Sequence, residues 1–233
     1  MGLRFALFFA LAICAYLLGS IPTAYLAGKW LKGIDLRQYG SGTVSGSMVW
    51  EHVAKWALFP VGIFDVFKGA LPVWLSLAVG LPEESAALVG FLAVIGHNWP
   101  IFLKFHGGRG LSPFLGILLV LFPAGFLFML LILGIGLVLD ISAPLVLLAL
   151  GVLPILSGHL HGPSTILAVS LGMLGITIIK RLEANQRPLP EEESERQKVL
   201  MYRLFFDRDI KDHQAWLHRK PEDDSAPVGK GSK

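Results

Sequence analysis

The sequence predicts an all-α integral membrane protein: a polytopic bundle of seven transmembrane helices, N-terminus out and C-terminus in. Composition sets the class. Apolar residues make up 54% of the 233-residue chain and charged residues only 16%, against about a quarter charged in a soluble domain. Mean hydropathy is +0.62. The charge deficit is concentrated: over residues 110–179 the only acid is Asp140, and Lys and Arg are absent. Water would not tolerate so much exposed apolar surface, whereas lipid does. The placement of Lys and Arg then sets the topology.

A spanning helix needs about 20 apolar residues. The first candidate covers residues 3–28. Arg4 ahead of an apolar stretch loosely resembles a signal peptide, but apolar character runs on to Leu31 with no clear small-x-small cleavage site. An uncleaved span is therefore expected. A polar loop follows over 29–47. The second apolar segment, 53–81, contains Asp65 and Lys68 and stops at a Pro-Glu-Glu turn. The third runs over 85–105 and leads into a basic, glycine-rich loop, 104–110. Residues 111–139 are too long for one untilted helix, and Pro123 sits near their middle, where a helix kinks or breaks. Two shorter runs, 141–157 and 163–179, complete the membrane part.

Lys and Arg mark the inner side of membrane proteins. Here they cluster at 29–37, 104–109 and 180–187, and the loops at 81–84 and 158–163 hold none. If 111–139 crosses once, the 180–187 cluster falls outside. If it folds into a hairpin at Pro123, every cluster is inside, which gives the seven-span reading. These are loop charges, so the net charge of +3 does not indicate nucleic acid. The single Cys14 excludes an intrachain disulfide. The chain divides into a transmembrane domain, 1–182, and an inner polar tail, 183–233. In the tail Val199, Leu200, Leu204, Phe205 and Trp216 recur among charges. That pattern fits an amphipathic helix, placed either on the membrane surface or against the inner loops. The last ten residues are too polar to order themselves.

Three stretches carry candidate chemistry. Residues 39–47 read Tyr-Gly-Ser-Gly-Thr-Val-Ser-Gly-Ser. Gly40 and Gly42 would expose backbone N–H groups, and Ser41, Ser45 and Ser47 offer hydroxyls, a composition that cradles phosphate or serves as a plain connector. Asp65 and Lys68 are three apart at membrane depth, where charges are functional or paired; on a helix they share a face. Residues 96–110 contain His97, Trp99 and the run Gly107-Gly108-Arg109-Gly110, which either sets a guanidinium fork amid open backbone or is a plain positive-inside loop. His159 and His161 have no third ligand nearby, so no metal site is expected. Together, two glycine-rich loops and an arginine on one membrane face point to a bound anion, a phosphate above all.

In these residues the chain resembles the bacterial acyl-phosphate:glycerol-3-phosphate acyltransferases, small integral membrane enzymes that start phospholipid synthesis. The matching stretches are Gly19-Ser20-Ile21-Pro22-Thr23-Ala24-Tyr25, Gly40-Ser41-Gly42, 64–72 and 96–110, in the family's order and spacing, over about residues 10–182. The resemblance implies a seven-helix fold in the bacterial inner membrane, with the site facing the cytoplasm. It implies acyl transfer from acyl phosphate to the 1-hydroxyl of glycerol 3-phosphate, giving lysophosphatidic acid. Its partners are those two substrates and membrane lipid, with no cofactor and no nucleic acid. The assignment then makes Ser41 and Arg109 catalytic. Gly40, Gly42, Ser45, Ser47, Lys68, His97, Gly107, Gly108, Gly110 and Lys180 bind substrate.

The motifs depart from the family pattern at defined points. Its first motif reads Gly-Ser-Gly-Asn-x-Gly-Ala-Thr-Asn-x-x-Arg. Thr43 and Met48 stand at the two Asn positions, and Glu51 stands at the Arg. Arg109 replaces a Lys. The third motif's His, Glu and Asn are Gly175, Thr177 and Ile178. Lys180, Arg181 or Lys68 would then supply charge. The alternative is a paralogue that binds phospholipid or acyl phosphate without turnover.

Overall fold

The computed structural model describes residues 2–40 and 42–218. Ser41 and the closing polar stretch 219–233 lie outside the described residues, so the expectations for them go no further here. Among the described residues the chain forms α-helices and short 3-10 turns with no strand. It is an all-α integral membrane protein.

The N-terminal half builds the frame. Helix α1 spans Gly2–Gly19 and α2 spans Thr23–Lys32. The single span expected over 3–28 is thus interrupted at 20–22, where Pro22 can give no backbone N–H to continue the ladder. After a 3-10 turn at Leu36–Gln38 come the short α3, Gly46–His52, and the long α4, Leu58–Ala78. Helix α5 covers Glu83–Asn98, stopping short of the expected 105 because Pro100 follows. Helices α6, Leu111–Leu121, and α7, Pro123–Leu139, are separate, divided at Phe122 (φ −149°, ψ 76°) with Pro123 opening the second. Helices α8, Ser142–His159, and α9, Thr165–Glu183, complete the membrane part. The tail adds α10, Glu193–Phe206, and the one-turn α11, His213–Leu217.

Helices pack closely in lipid where small residues let backbones approach. Two such crossings organise the bundle. A Cβ on Gly19 would lie 2.1 Å from the Ala93 carbonyl oxygen, and one on Gly96 2.2 Å from that of Tyr16, so α1 lies directly on α5. A Cβ on Gly69 would lie 1.8 Å from the Pro113 carbonyl oxygen, and one on Gly116 2.0 Å from that of Val66, which locks α4 on α6. The main apolar core runs from Val73 through Phe114, Ile117 and Leu118 to Leu150, Leu153 and Met173, joining α4 to α9. Outward, Ile63, Leu131, Leu137 and Val138 are 62–84% exposed, a surface fit for lipid.

A second, smaller core holds the first polar loop in place. Leu36, Val44, Met48, Val49 and Leu103 pack beneath α2 and α3. Met48, at a position where the resembled family carries Asn, is a core residue here. Glu51 is exposed on α3. Helix α10 lies against α8 and α9, with Arg203 buried.

Candidate active site

The site forms where three polar stretches meet at one end of the bundle. The Val44 N–H donates to the Gly107 carbonyl at 3.2 Å, joining the two glycine-rich loops. Asn185, just past α9, completes the junction: its Nδ2 donates to Gly42 O at 2.9 Å and to Gly107 O at 3.2 Å. Arg187 Nη2 donates to Gly40 O at 2.9 Å. Gly40, Gly42 and Gly110 have φ of +49°, +68° and +75°, which glycine adopts without the Cβ cost borne by other residues.

The second loop rests on His97. The Gly108 N–H donates to the His97 carbonyl at 3.1 Å. A Cβ on Gly108 would lie 2.2 Å from His97 Nε2, and one on Gly107 2.2 Å from His97 O. Both glycines are therefore required by close approach, and His97 is the floor of the loop. Gly110 begins α6 against Asn98, whose side-chain amide has no hydrogen-bond partner among the described residues. In the first loop, Thr43 Oγ1 lies 3.3 Å from Ser45 Oγ, and Ser45 Oγ lies 3.0 Å from Ser47 Oγ. The three hydroxyls form a chain ending on exposed Ser47.

Arg109 is the cation of the second loop. Its Nη1 donates to Lys180 O at 2.8 Å and its Nε to Asp207 Oδ2 at 3.0 Å. Lys180 itself is fully buried. Its Nζ lies 4.9 Å from the Trp99 ring centroid and 3.4 Å from Glu183 Oε2. Trp99 Nε1 donates to the same Glu183 oxygen at 2.8 Å. Lys180 thus reaches the site from beneath, through its main chain and its charge.

Lys68 is placed elsewhere. Its three N–H donors are matched by Asp65 Oδ1 at 2.5 Å, Ile21 O at 2.6 Å and Thr23 Oγ1 at 3.1 Å. Thr23 also donates to Asp65 at 2.5 Å, and His97 Nδ1 stands 3.8 Å from that carboxylate. This network ties α4 to the break between α1 and α2, and buttresses His97 from below. Between it and the glycines is a small cavity lined by Ile21, Thr23, His97, Gly107 and Gly108.

On the open side a cleft of about 370 Å³ is lined by Asp35, Arg37, Gln38, His106, Asn185 and Arg187. Arg37 grips Asp35 through Nη2–Oδ2 at 2.6 Å. That hydrogen bond holds the Asp35 carboxyl below its usual value of 3.8 and raises the arginine above its own. Of the residues singled out from sequence, Gly40, Gly42, Gly107, Gly108, Gly110, His97, Arg109 and Lys180 converge here. Ser45 and Ser47 adjoin them, and Lys68 serves the helix break. Asn185, Arg187 and Asp207 were not anticipated. Only the tolerance of Asn for a left-handed C-cap, here φ +53°, offered a signal.

The family model described as Glycerol-3-phosphate acyltransferase matches residues 9–190. The chain belongs to this family. Among its relatives is glycerol-3-phosphate acyltransferase 5 of Dehalococcoides mccartyi strain 195, 40% identical and covering 95% of each chain. Glycerol-3-phosphate acyltransferase 4 of strain CBDB1 is 38% identical, covering 88% of this chain and 90% of the relative. The fold is similar to crystal structures of PlsY, an integral membrane glycerol 3-phosphate acyltransferase. Its glycerol 3-phosphate form superposes with a TM-score of 0.66 at 30% identity, over 77% of this chain and 90% of PlsY. Its lysophosphatidic acid form gives 0.64 at 29%. The matched residues of this glycerol-3-phosphate acyltransferase family member hold both loops, His97, Arg109, Lys180, Asn185 and Arg187. Asp207 lies beyond them.

Proposed function

We propose that this chain transfers a fatty acyl group from acyl phosphate to the 1-hydroxyl of glycerol 3-phosphate. A new ester bond forms at the acyl carbon, the carbon–oxygen bond to phosphate breaks, and the hydroxyl proton leaves with the phosphate. The products are lysophosphatidic acid and inorganic phosphate. The observation that carries this reading is the junction itself: two glycine-rich loops pinned together by Asn185, with Arg109 beside them, in a member of this family. Both substrates bear phosphate, and preorganised donors in a site shielded from water stabilise charge at little reorganisation cost.

Arg109 grips phosphate oxygens through its fork. The N–H groups of Gly40, Gly107 and Gly110 line the approach, those of Gly42 and Gly108 fix the loops by donating to the Tyr39 and His97 carbonyls, and Ser45 and Ser47 supply hydroxyls. Ser41, a hydroxyl donor within the first loop, joins Arg109 as the pair assigned to catalysis. His97 sets the height of the second loop. Lys180 adds positive potential from beneath, and Lys68 holds the frame. Arg187 brings a cation to the first loop, the region where Glu51 replaces the family's arginine. The apolar flank receives the acyl chain from the bilayer. The bunched Lys and Arg support a reading in which this face meets the cytoplasm of a bacterial inner membrane, with residues 183–218 as an inner tail.

Purified protein incubated with palmitoyl phosphate and labelled glycerol 3-phosphate should form lysophosphatidic acid. Absence of product from folded protein defeats the proposal. Arg109→Ala should reduce kcat/KM by roughly 100-fold or more, the scale of losing one preorganised donor. An unchanged rate would put the site elsewhere.

A further inference from the structure

We propose that Asp207 is a positioning residue for Arg109, which makes helix α10 of the tail a working part of the acyltransferase site. The inference rests on the reading that Arg109 binds a substrate phosphate. Asp207 lies beyond residues 9–190, the part matched by the family model. Its carboxylate nevertheless meets Arg109 with both oxygens: Oδ2 accepts from Nε at 3.0 Å and Oδ1 lies 2.7 Å from Nη2. A guanidinium has five N–H donors in a rigid plane. Asp207 Oδ2 takes the Nε hydrogen, and Oδ1 stands beside Nη2 as an ion pair without a hydrogen bond of its own. The Lys180 carbonyl takes one on Nη1. The second hydrogen on Nη1 and the pair on Nη2 remain for a phosphate. The grip fixes the plane of the guanidinium without using it up.

Asp207 is itself firmly placed. It caps α10 in the left-handed region at φ +56°, and its N–H donates to Arg203 O at 3.1 Å. Two buried arginines lace α10 to the bundle. Arg203 Nη1 donates to Leu182 O at 3.1 Å and its Nε to Asp209 Oδ1 at 2.6 Å. Arg181 donates to Leu204 O and to Ala143 O, each at 2.8 Å. A carboxylate held this way orients its partner at little further entropy cost. It also offsets part of the arginine's charge, trading phosphate affinity for direction.

That trade gives a separable signature. Asp207→Asn suits the test because Asn tolerates the left-handed backbone and keeps the shape while losing the charge. With phosphate still attracted but misdirected, kcat should fall about tenfold and KM for glycerol 3-phosphate should stay level or drop. In an Arg109→Lys background, where no fork exists to orient, Asp207→Asn should leave kcat unchanged. Glu193→Gln, on the exposed face of α10, should match wild type. The assay uses the full chain in detergent, with melting temperature recorded for each variant. An unaltered kcat in Asp207→Asn overturns the proposal, as does an equal loss in the Arg109→Lys background. A rise in kcat also overturns it, since Asp207 would then be a competitor for the phosphate. If wild type itself makes no lysophosphatidic acid, the acyltransferase reading fails instead.

Discussion

Asn185 is the residue on which the site's geometry turns. One amide bridges the carbonyls of Gly42 and Gly107, so it sets the spacing of the two loops that would share a phosphate. Removing it takes the donor from the Gly42 carbonyl, whereas Gly107 O keeps the Val44 N–H, and an unmade buried hydrogen bond costs about 1–3 kcal/mol. Ala would add backbone strain at φ +53°, so Gly is the cleaner replacement. Asn185→Gly should raise KM for glycerol 3-phosphate several-fold and lower the melting temperature by several degrees. Asn185→Asp should lose more, because its carboxylate repels both the carbonyls and the substrate. Steady-state kinetics on the three proteins decide it, and equal activity would show that the loops hold their spacing without the bridge.

Helix crossings set the next scale, and they make glycine positions unequal. Gly116 faces the Val66 carbonyl, where a Cβ would come within 2.0 Å, while a Cβ on Gly151 meets nothing within 4 Å. Gly116→Ala must therefore push α6 from α4, at a cost of about 1–3 kcal/mol for an overpacked contact. Gly151→Ala should be neutral or stabilising by up to about 1 kcal/mol, since Ala is the better helix former. Thermal melting in detergent should separate the two clearly, and equal shifts would refute the close crossing. Much of this level was legible in the sequence. Long apolar runs announce spans, Pro123 announces the division of α6 from α7, and the spacing of Asp65 and Lys68 announces a shared helix face. The break at 20–22 was hidden because apolar residues continue on both sides of it. The tail contacts were hidden for a different reason. Asp207 meets Arg109 across nearly a hundred residues, and local patterning carries no record of which distant backbone a helix will dock against.

For the whole molecule, the fold constrains topology through parity. Arg109 donates to the Lys180 carbonyl, and Asn185 bonds both loops, so residues 40–44, 107–109 and 180–187 share one membrane face. The chain between 110 and 180 must then cross an even number of times. Helices α8 and α9 are each long and apolar enough to cross, so α6 and α7 must contribute two crossings or none. A single bent crossing is disfavoured. At 11 and 17 residues they would span about 16 and 25 Å at 1.5 Å per residue, short of a 30 Å core, so two crossings demand a bilayer locally thinned around α6. On the proposed orientation, the positive-inside bias would turn the shared face to the cytoplasm. Cysteine labelling tests the arrangement in a Cys14→Ala background. A membrane-impermeant maleimide added to spheroplasts should modify His159→Cys, at the far end of α8, and spare Gln38→Cys, beside the first loop. Permeabilised spheroplasts should show both labelled. The reverse pattern would invert the molecule, and labelling of both in sealed spheroplasts would break the parity on which the shared face depends.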